Sequence, residues 1–262
     1  MTHLAVDHSY YDLEDPGLIR EFVHKLKVGS KKAIDVLKKV NLKGLWLPDS
    51  KRIIVDLSVA EAKKKWVNAH ELAHRIIPTH NQFFLADTME TLDPEYHEML
   101  EAEANYGASA LIFLGETFTT EALAYSPVFE SVRSLSKKYQ NSLATTLRRF
   151  VLYSHNKAMA GVISLPKWVD TPAGCVSRCR YFIPSHRFTS EFSSVSASVV
   201  MNVIDSYTNP KRGGYVGSGA FTLRNDNGET HIFEGESFYN QYDLLTLIVH
   251  KRRQGGRIVG LA

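Results

Sequence analysis

The chain has 262 residues, of which 44% are apolar, 11% aromatic and 23% charged. That composition supports a packed core and excludes a disordered or collagen-like chain. The 31 Lys and Arg against 28 Asp and Glu leave a net charge of +3, too small an excess to indicate nucleic-acid binding by itself.

Residues Met1 to His8 carry neither the basic nor the apolar stretch of a signal peptide. No apolar run approaches the ~20 residues of a membrane span. Two cysteines, Cys175 and Cys179, are too few for a disulfide scaffold and are read as free thiols. The expectation is a cytoplasmic protein.

Residues 16–40 have helical periodicity, with Leu18, Phe22 and Leu26 on one stripe and Ile34 and Leu37 after Gly29. The run Arg52-Ile53-Ile54-Val55-Asp56-Leu57 reads as a strand. Residues 59–77 then read as a helix with Ala60, Ala62, Trp66, Ala69, Leu72, Ala73 and Ile76 on its apolar face, ended by Pro78. Asp93-Pro94-Glu95 predicts the start of another helix, running through Leu114 and stopping near Gly115. Ser126-Pro127 opens a helix to about Tyr139, and Asn141-Ser142 caps one more to about Tyr153. After Gly161 short alternating runs take over. Gly219–Leu223 and Thr230–Phe233 flank the turn Asn225-Asp226-Asn227-Gly228 and predict a hairpin, and Leu244–Val249 reads as a buried strand. The composition places a boundary near 155–172, helical before it and mixed α/β after it.

Within the second helix, His70-Glu71-Leu72-Ala73-His74 fits H-E-x-x-H, a pattern this composition yields by chance about 0.03 times. On a helix, i and i+4 share a face, so both imidazoles reach one ion from the same side. Zinc takes neutral His nitrogen and keeps an open position when catalytic. Glu71 can then reach a water on the metal without ligating it. A third ligand must come from elsewhere. Glu101 on the next helix is the choice, with Asn105 one turn later as a partner for a ligating His. His97 competes from the same face, and Glu103 points roughly 200° away. His24, His80 and His155 are read as ordinary surface or boundary histidines.

Three segments, Ile53–Asp56, Trp66–His74 and Glu101–Ala108, together resemble the ImmA/IrrE family of zinc metallopeptidases. The resemblance implies that His70, His74 and Glu101 hold zinc, with manganese as the alternative, and that Glu71 is the base. It is firmest over residues 30–115. It continues through Ser131–Ser154, similar to the helix-turn-helix-like segment of the IrrE branch, and Gly219–Val249, similar to that branch's GAF-like region. Where the family often has Leu-Leu-Met-Pro after its Asn helix, this chain has Leu111-Ile112-Phe113-Leu114-Gly115. The implied chemistry is amide hydrolysis: zinc acidifies a water and polarises the carbonyl, and Glu71 carries the proton to the leaving amine. Tyr106, Tyr181 and His186 are weak candidates for the oxyanion stabiliser.

Other charged and glycine-rich stretches read as structural. Lys63-Lys64-Lys65 and Lys251-Arg252-Arg253 are solvated charge. Arg148 and Arg149 could meet phosphates if residues 135–150 bound DNA, which is disfavoured. Gly213–Gly219 has no lysine placed for a phosphate loop.

The fold expected is α+β: a zincin-like helical domain with a small sheet over 1–120, a helix-turn-helix-like segment over 121–160, and a mixed α/β, GAF-like sensory module over 161–262. The expected function is limited proteolysis of a partner regulator, a helix-turn-helix repressor, in stress response and transcription regulation. The rival is a non-enzymatic regulator or toxin–antitoxin-type partner that acts by binding DNA or protein.

Overall fold

The computed structural model describes residues 7–11, 44–47, 52–56, 61–80, 94–170 and 177–254. The helical stripe expected over 16–40 lies outside them. The fold is α+β, and the chain divides into two compact units, Met1–Gly115 and Glu116–Ala262.

The first unit holds strands β1 (Asp7–Tyr11), β2 (Gly44–Leu47) and β3 (Arg52–Asp56) in the order β1-β3-β2. β1 runs parallel to β3 and β2 antiparallel. β3 falls where the β-branched run predicts it. β1 and β2 have no clear sequence signal: Asp-His-Ser-Tyr-Tyr does not alternate, and four residues are too few to show a period.

Helix α1 (Glu61–Ile76) packs against β2 and β3 and against helix α2 (Pro94–Ile112). Pro78 lacks an N–H and cannot continue α1, as expected; one short helical turn follows at 78–80. Pro94 occupies the first position of α2, where its missing N–H costs nothing. At the other end Leu114 and Gly115 take φ of 54° and 57°, and the Gly115 N–H donates to the Ala110 carbonyl at 2.8 Å. Between the helices lie small side chains: Ala69 and Ala73 on α1, Ala104 and Ala108 on α2, all buried. A Cβ at Gly107 would stand 2.8 Å from that of Ala73, so a bare glycine lets the two backbones approach this closely.

The second unit is a three-layer structure. Its sheet has the antiparallel order β5-β4-β8-β7-β6, from β4 (Met159–Ser164), β5 (Cys179–Pro184), β6 (Gly214–Arg224), β7 (Thr230–Tyr239) and β8 (Leu244–Arg253). Before the sheet come α3 (Glu116–Leu123), α4 (Phe129–Tyr139) and α5 (Leu143–Tyr153). Helices α6 (His186–Glu191) and α7 (Ala197–Tyr207) link β5 to β6. Ser142 caps α5 as expected, accepting from the Thr145 N–H at 3.1 Å. α4 starts at Phe129, two residues beyond Pro127.

β4 is buried along its whole length because both its faces are covered. Gly161 meets Leu147 and Val151 of α5. Ala160 and Val162, on the opposite face, join Phe188, Phe192, Val200 and Ile204 of the α6–α7 layer. The boundary expected near 155–172 therefore falls inside this unit. Helices expected as a separate 121–160 segment share its core.

Two stretches weighed in the sequence take structural roles here. Arg149, a possible phosphate contact, is only 4% exposed, with its guanidinium 4.2 Å from the Tyr153 ring centroid. Burial removes it from any nucleic acid. The glycine-rich run serves packing, because a Cβ at Gly217 or Gly219 would lie 2.5–2.6 Å from Tyr207 atoms.

Candidate metal centre

The spacing that puts His70 and His74 one turn apart on α1 also brings their reactive nitrogens together. The two Nε2 atoms are 3.1 Å apart. Glu101, on the facing surface of α2, sets Oε2 3.1 Å from His70 Nε2 and Oε1 3.5 Å from His74 Nε2. Among the described residues, these three are the group of His, Cys, Asp and Glu placed to hold one ion. Four ligands at 2.0–2.1 Å in a tetrahedron stand about 3.3–3.4 Å from one another, so the contact between the imidazoles and the shortest contact of each with the carboxylate have the size of such a shell's edges. His70 Nδ1 is buried without a hydrogen-bond partner. The residues therefore fit a divalent cation.

Electrostatics tie the three together. His70 and then His74, both close beside it, hold the Glu101 carboxyl well below the usual carboxylate range, against the opposing effect of burial. Burial works against a charged His70, but the Glu101 hydrogen bond and the charges of Glu71 and Glu101 outweigh it and raise its pKa; Asn105 adds a smaller push the same way. Burial lowers the pKa of His74, and His70 and His80 add to this. Glu71 is buried beside His70. Asn105, one turn after Glu101, is exposed at the same end of the cluster.

One sequence reading is overturned. His80 is fully buried, not a surface or boundary histidine. Its Nδ1 lies 2.8 Å from His74 Nδ1, and its Nε2 lies 3.0 Å from Glu103 Oε2. Glu103 stays out of the ligand triangle, as its angle on the helix predicts, yet it anchors the far end of this chain. The helical turn at 78–80 folds His80 back beside His74. Only the position of His80 just after the helix-ending Pro78 hinted at this.

Of the other candidates, Tyr106 is 62% exposed on α2. Tyr181, under the Arg148 guanidinium, and His186 are exposed in the second unit. The side chain of His97 and all of His24 lie outside the described residues. His155 is half-buried, edge-on to Phe150. Cys179 is a free thiol, and Cys175 lies outside the described residues. No helix among the described residues is long and apolar enough to cross a membrane.

Two imidazoles from one helix and a carboxylate from the next are a donor set also found in zinc metallopeptidases. Residues 29–151 match the family Peptidase_M78, the IrrE N-terminal-like domain. That segment, which contains His70, Glu71, His74 and Glu101, belongs to the ImmA/IrrE family. A solved structure of a Mycobacterium tuberculosis transcriptional regulator is similar over 80% of this chain and 71% of that one, at 12% identity and a TM-score of 0.48. No curated protein matches the chain.

Proposed function

We propose that the protein is a zinc-dependent peptidase making limited cuts in a partner regulator, a helix-turn-helix repressor. In this reading His70, His74 and Glu101 hold the cation, Glu71 is the catalytic base, and Asn105 steadies His70. The observation that carries it is the convergence of the two Nε2 atoms, 3.1 Å apart, on the Glu101 carboxylate, whose Oε2 lies 3.1 Å from His70 and whose Oε1 lies 3.5 Å from His74.

A cation held there supplies Lewis acidity to a peptide carbonyl and acidifies water. The protein's own part follows from placement. His70 and His74 present lone pairs from a rigid helix. Glu101, kept ionised by both imidazoles, brings the negative charge that offsets the cation. Glu71, adjacent to His70, takes the proton of the attacking water and delivers it to the leaving amine. The reading assigns the peptidase to the first unit and, within the second, a helix-turn-helix-like part to 121–160 and a GAF-like sensory part to 161–262, the two sharing one core. A role in transcription regulation and stress response, in the cytoplasm, goes with it.

The test is cleavage of candidate repressors encoded beside the gene, by the wild-type chain and by Glu71→Gln, with zinc measured in both. The variant is expected to keep one zinc per chain and lose about 10²–10⁴-fold in cleavage rate. Undiminished cleavage by the variant overturns the role of Glu71. A stable stoichiometric complex with no cut product in the wild type overturns the peptidase and favours a binding regulator.

A further inference from the structure

The side chains behind the triangle form an ordered chain: His74 Nδ1 to His80 Nδ1 at 2.8 Å, then His80 Nε2 to Glu103 Oε2 at 3.0 Å. The direction of each hydrogen bond follows from the far end. An ionised carboxylate only accepts, so His80 Nε2 carries the proton and donates to Glu103. A neutral imidazole with its proton on Nε2 has a lone pair on Nδ1. His80 Nδ1 therefore accepts, and His74 Nδ1–H donates to it. That leaves the lone pair of His74 on Nε2, the atom that faces Glu101 and His70.

We propose that His80 and Glu103 are positioning residues that fix His74 in the Nδ1–H tautomer, with its Nε2 lone pair aimed at the cation position. The proposal rests on the metal-centre reading above and extends it to two residues outside the ligand set. A ligating histidine is ordinarily oriented by the partner of its other ring nitrogen. Here that partner is a second histidine, itself oriented by a carboxylate. The arrangement puts the anchoring charge on Glu103, two residues from the ligand Glu101 and on the same helix. Helix α2 thus reaches the His74 ring from both sides: Glu101 faces the Nε2 lone pair across the cation position, and Glu103 holds Nδ1 through His80. His80 is completely buried and Glu103 is 46% exposed, so the inner link is shielded from water while the outer carboxylate stays solvated.

Two measurements on the full chain test this. The first is long-range ¹H–¹⁵N NMR of the ring nitrogens in chelator-treated protein. His74 is expected as Nδ1–H and His80 as Nε2–H, with His74 losing its preference in His80→Phe. Finding His74 protonated on Nε2 in the wild type overturns the proposal.

The second is zinc affinity by competition with a chromogenic chelator. His80→Phe is expected to bind about 10–100-fold more weakly. Glu103→Ala, at a half-exposed site that tolerates truncation, is expected to weaken binding in the same direction. Glu103→Gln, which still accepts from His80, is expected to restore it. Wild-type affinity in both His80→Phe and Glu103→Ala overturns the proposal. A wild-type chain that holds no zinc defeats the metal-centre reading instead, and the tautomer measured by NMR then decides the His80–Glu103 claim alone.

Discussion

Each unit of this protein contains a cluster of two histidines and a glutamate, and the two clusters behave differently. In Met1–Gly115, the two Nε2 atoms are 3.1 Å apart and each faces one oxygen of the Glu101 carboxylate, at 3.1 and 3.5 Å. In Glu116–Ala262, His231 Nδ1 lies 3.0 Å from His250 Nε2, while Glu229 Oε2 stands 3.7 Å from the other nitrogen of His231. Those donors run in a line and share no centre. The difference comes from the backbone. One turn of helix stacks residues i and i+4 on one face, whereas His231 and His250 sit on neighbouring strands beside the irregularity at Ile232/Phe233. Aromatic rings then fill the remaining space, Phe192 edge-on to His231 and Phe233 beside His250. Convergence of lone pairs makes a metal site; residue composition does not.

The sharpest way to break this contrast is to remove one member of each cluster. His74→Ala or Glu101→Ala is expected to lower zinc affinity by more than about 100-fold, above the loss typical of an outer partner. His250→Gln is expected to leave both affinity and a stoichiometry of one zinc per chain unchanged. Zinc titration with elemental analysis checks this. A second zinc equivalent that disappears with His250→Gln would mean that the linear cluster also binds metal.

A weaker perturbation acts through the helix pair. In Gly107→Val the new side chain meets Ala73, whose Cβ is 2.8 Å from the position a Cβ would take. Overpacking of this kind costs about 1–3 kcal/mol. It also shifts α2, which carries Glu101, against α1, which carries both histidines, so zinc affinity is expected to fall with stability. Gly217→Ala is the counterpart in the other unit. Its φ of 147° and the Tyr207 carbonyl 2.5 Å from the new Cβ make it destabilising too, but with zinc affinity intact. Chemical denaturation and chelator competition on both variants separate the two. Equal zinc affinity in Gly107→Val and wild type would show that the triangle tolerates movement of α2.

How much of this was legible in the sequence depended on the range of the interaction. The His pair was legible because the helix itself brings i and i+4 together. Glu101 and the small residues Ala104 and Ala108 followed from periodicity on the next helix. His80 was not legible: its link to His74 and Glu103 needs the chain to turn at Pro78 and then cross to another helix, and no local period encodes that. Arg149, weighed as a phosphate contact in a disfavoured reading, is buried against Tyr153, and no local pattern sets it apart from charged residues that are exposed by default. The hairpin was announced by Asn225–Gly228. The joining of helices 116–153 to the sheet was hidden, since it depends on Gly161 leaving room for Leu147 and Val151.

The smallest effect expected concerns protons in place of metal. Burial lowers the pKa of His250, the charge of His231 and of Arg187 lowers it further, and Glu191 and the Arg252 backbone oppose this. The folded state thus favours the neutral ring. In the unfolded chain His250 takes up a proton near its ordinary value of about 6.5, while in the fold it stays neutral to lower pH. The unfolded state then binds more protons, and stability falls as pH drops below that value. The contribution is present above about pH 6.5 and is lost as the pH falls through the lowered value of the fold. His250→Gln removes this dependence. Hydrogen exchange of the β7–β8 backbone amides at pH 7.5 and 5.5 reads it out within the second unit. Acid is expected to cost the wild-type ladder more protection than it costs the variant. Equal losses would mean that the ring titrates alike in both states, leaving the second cluster as packing without proton linkage.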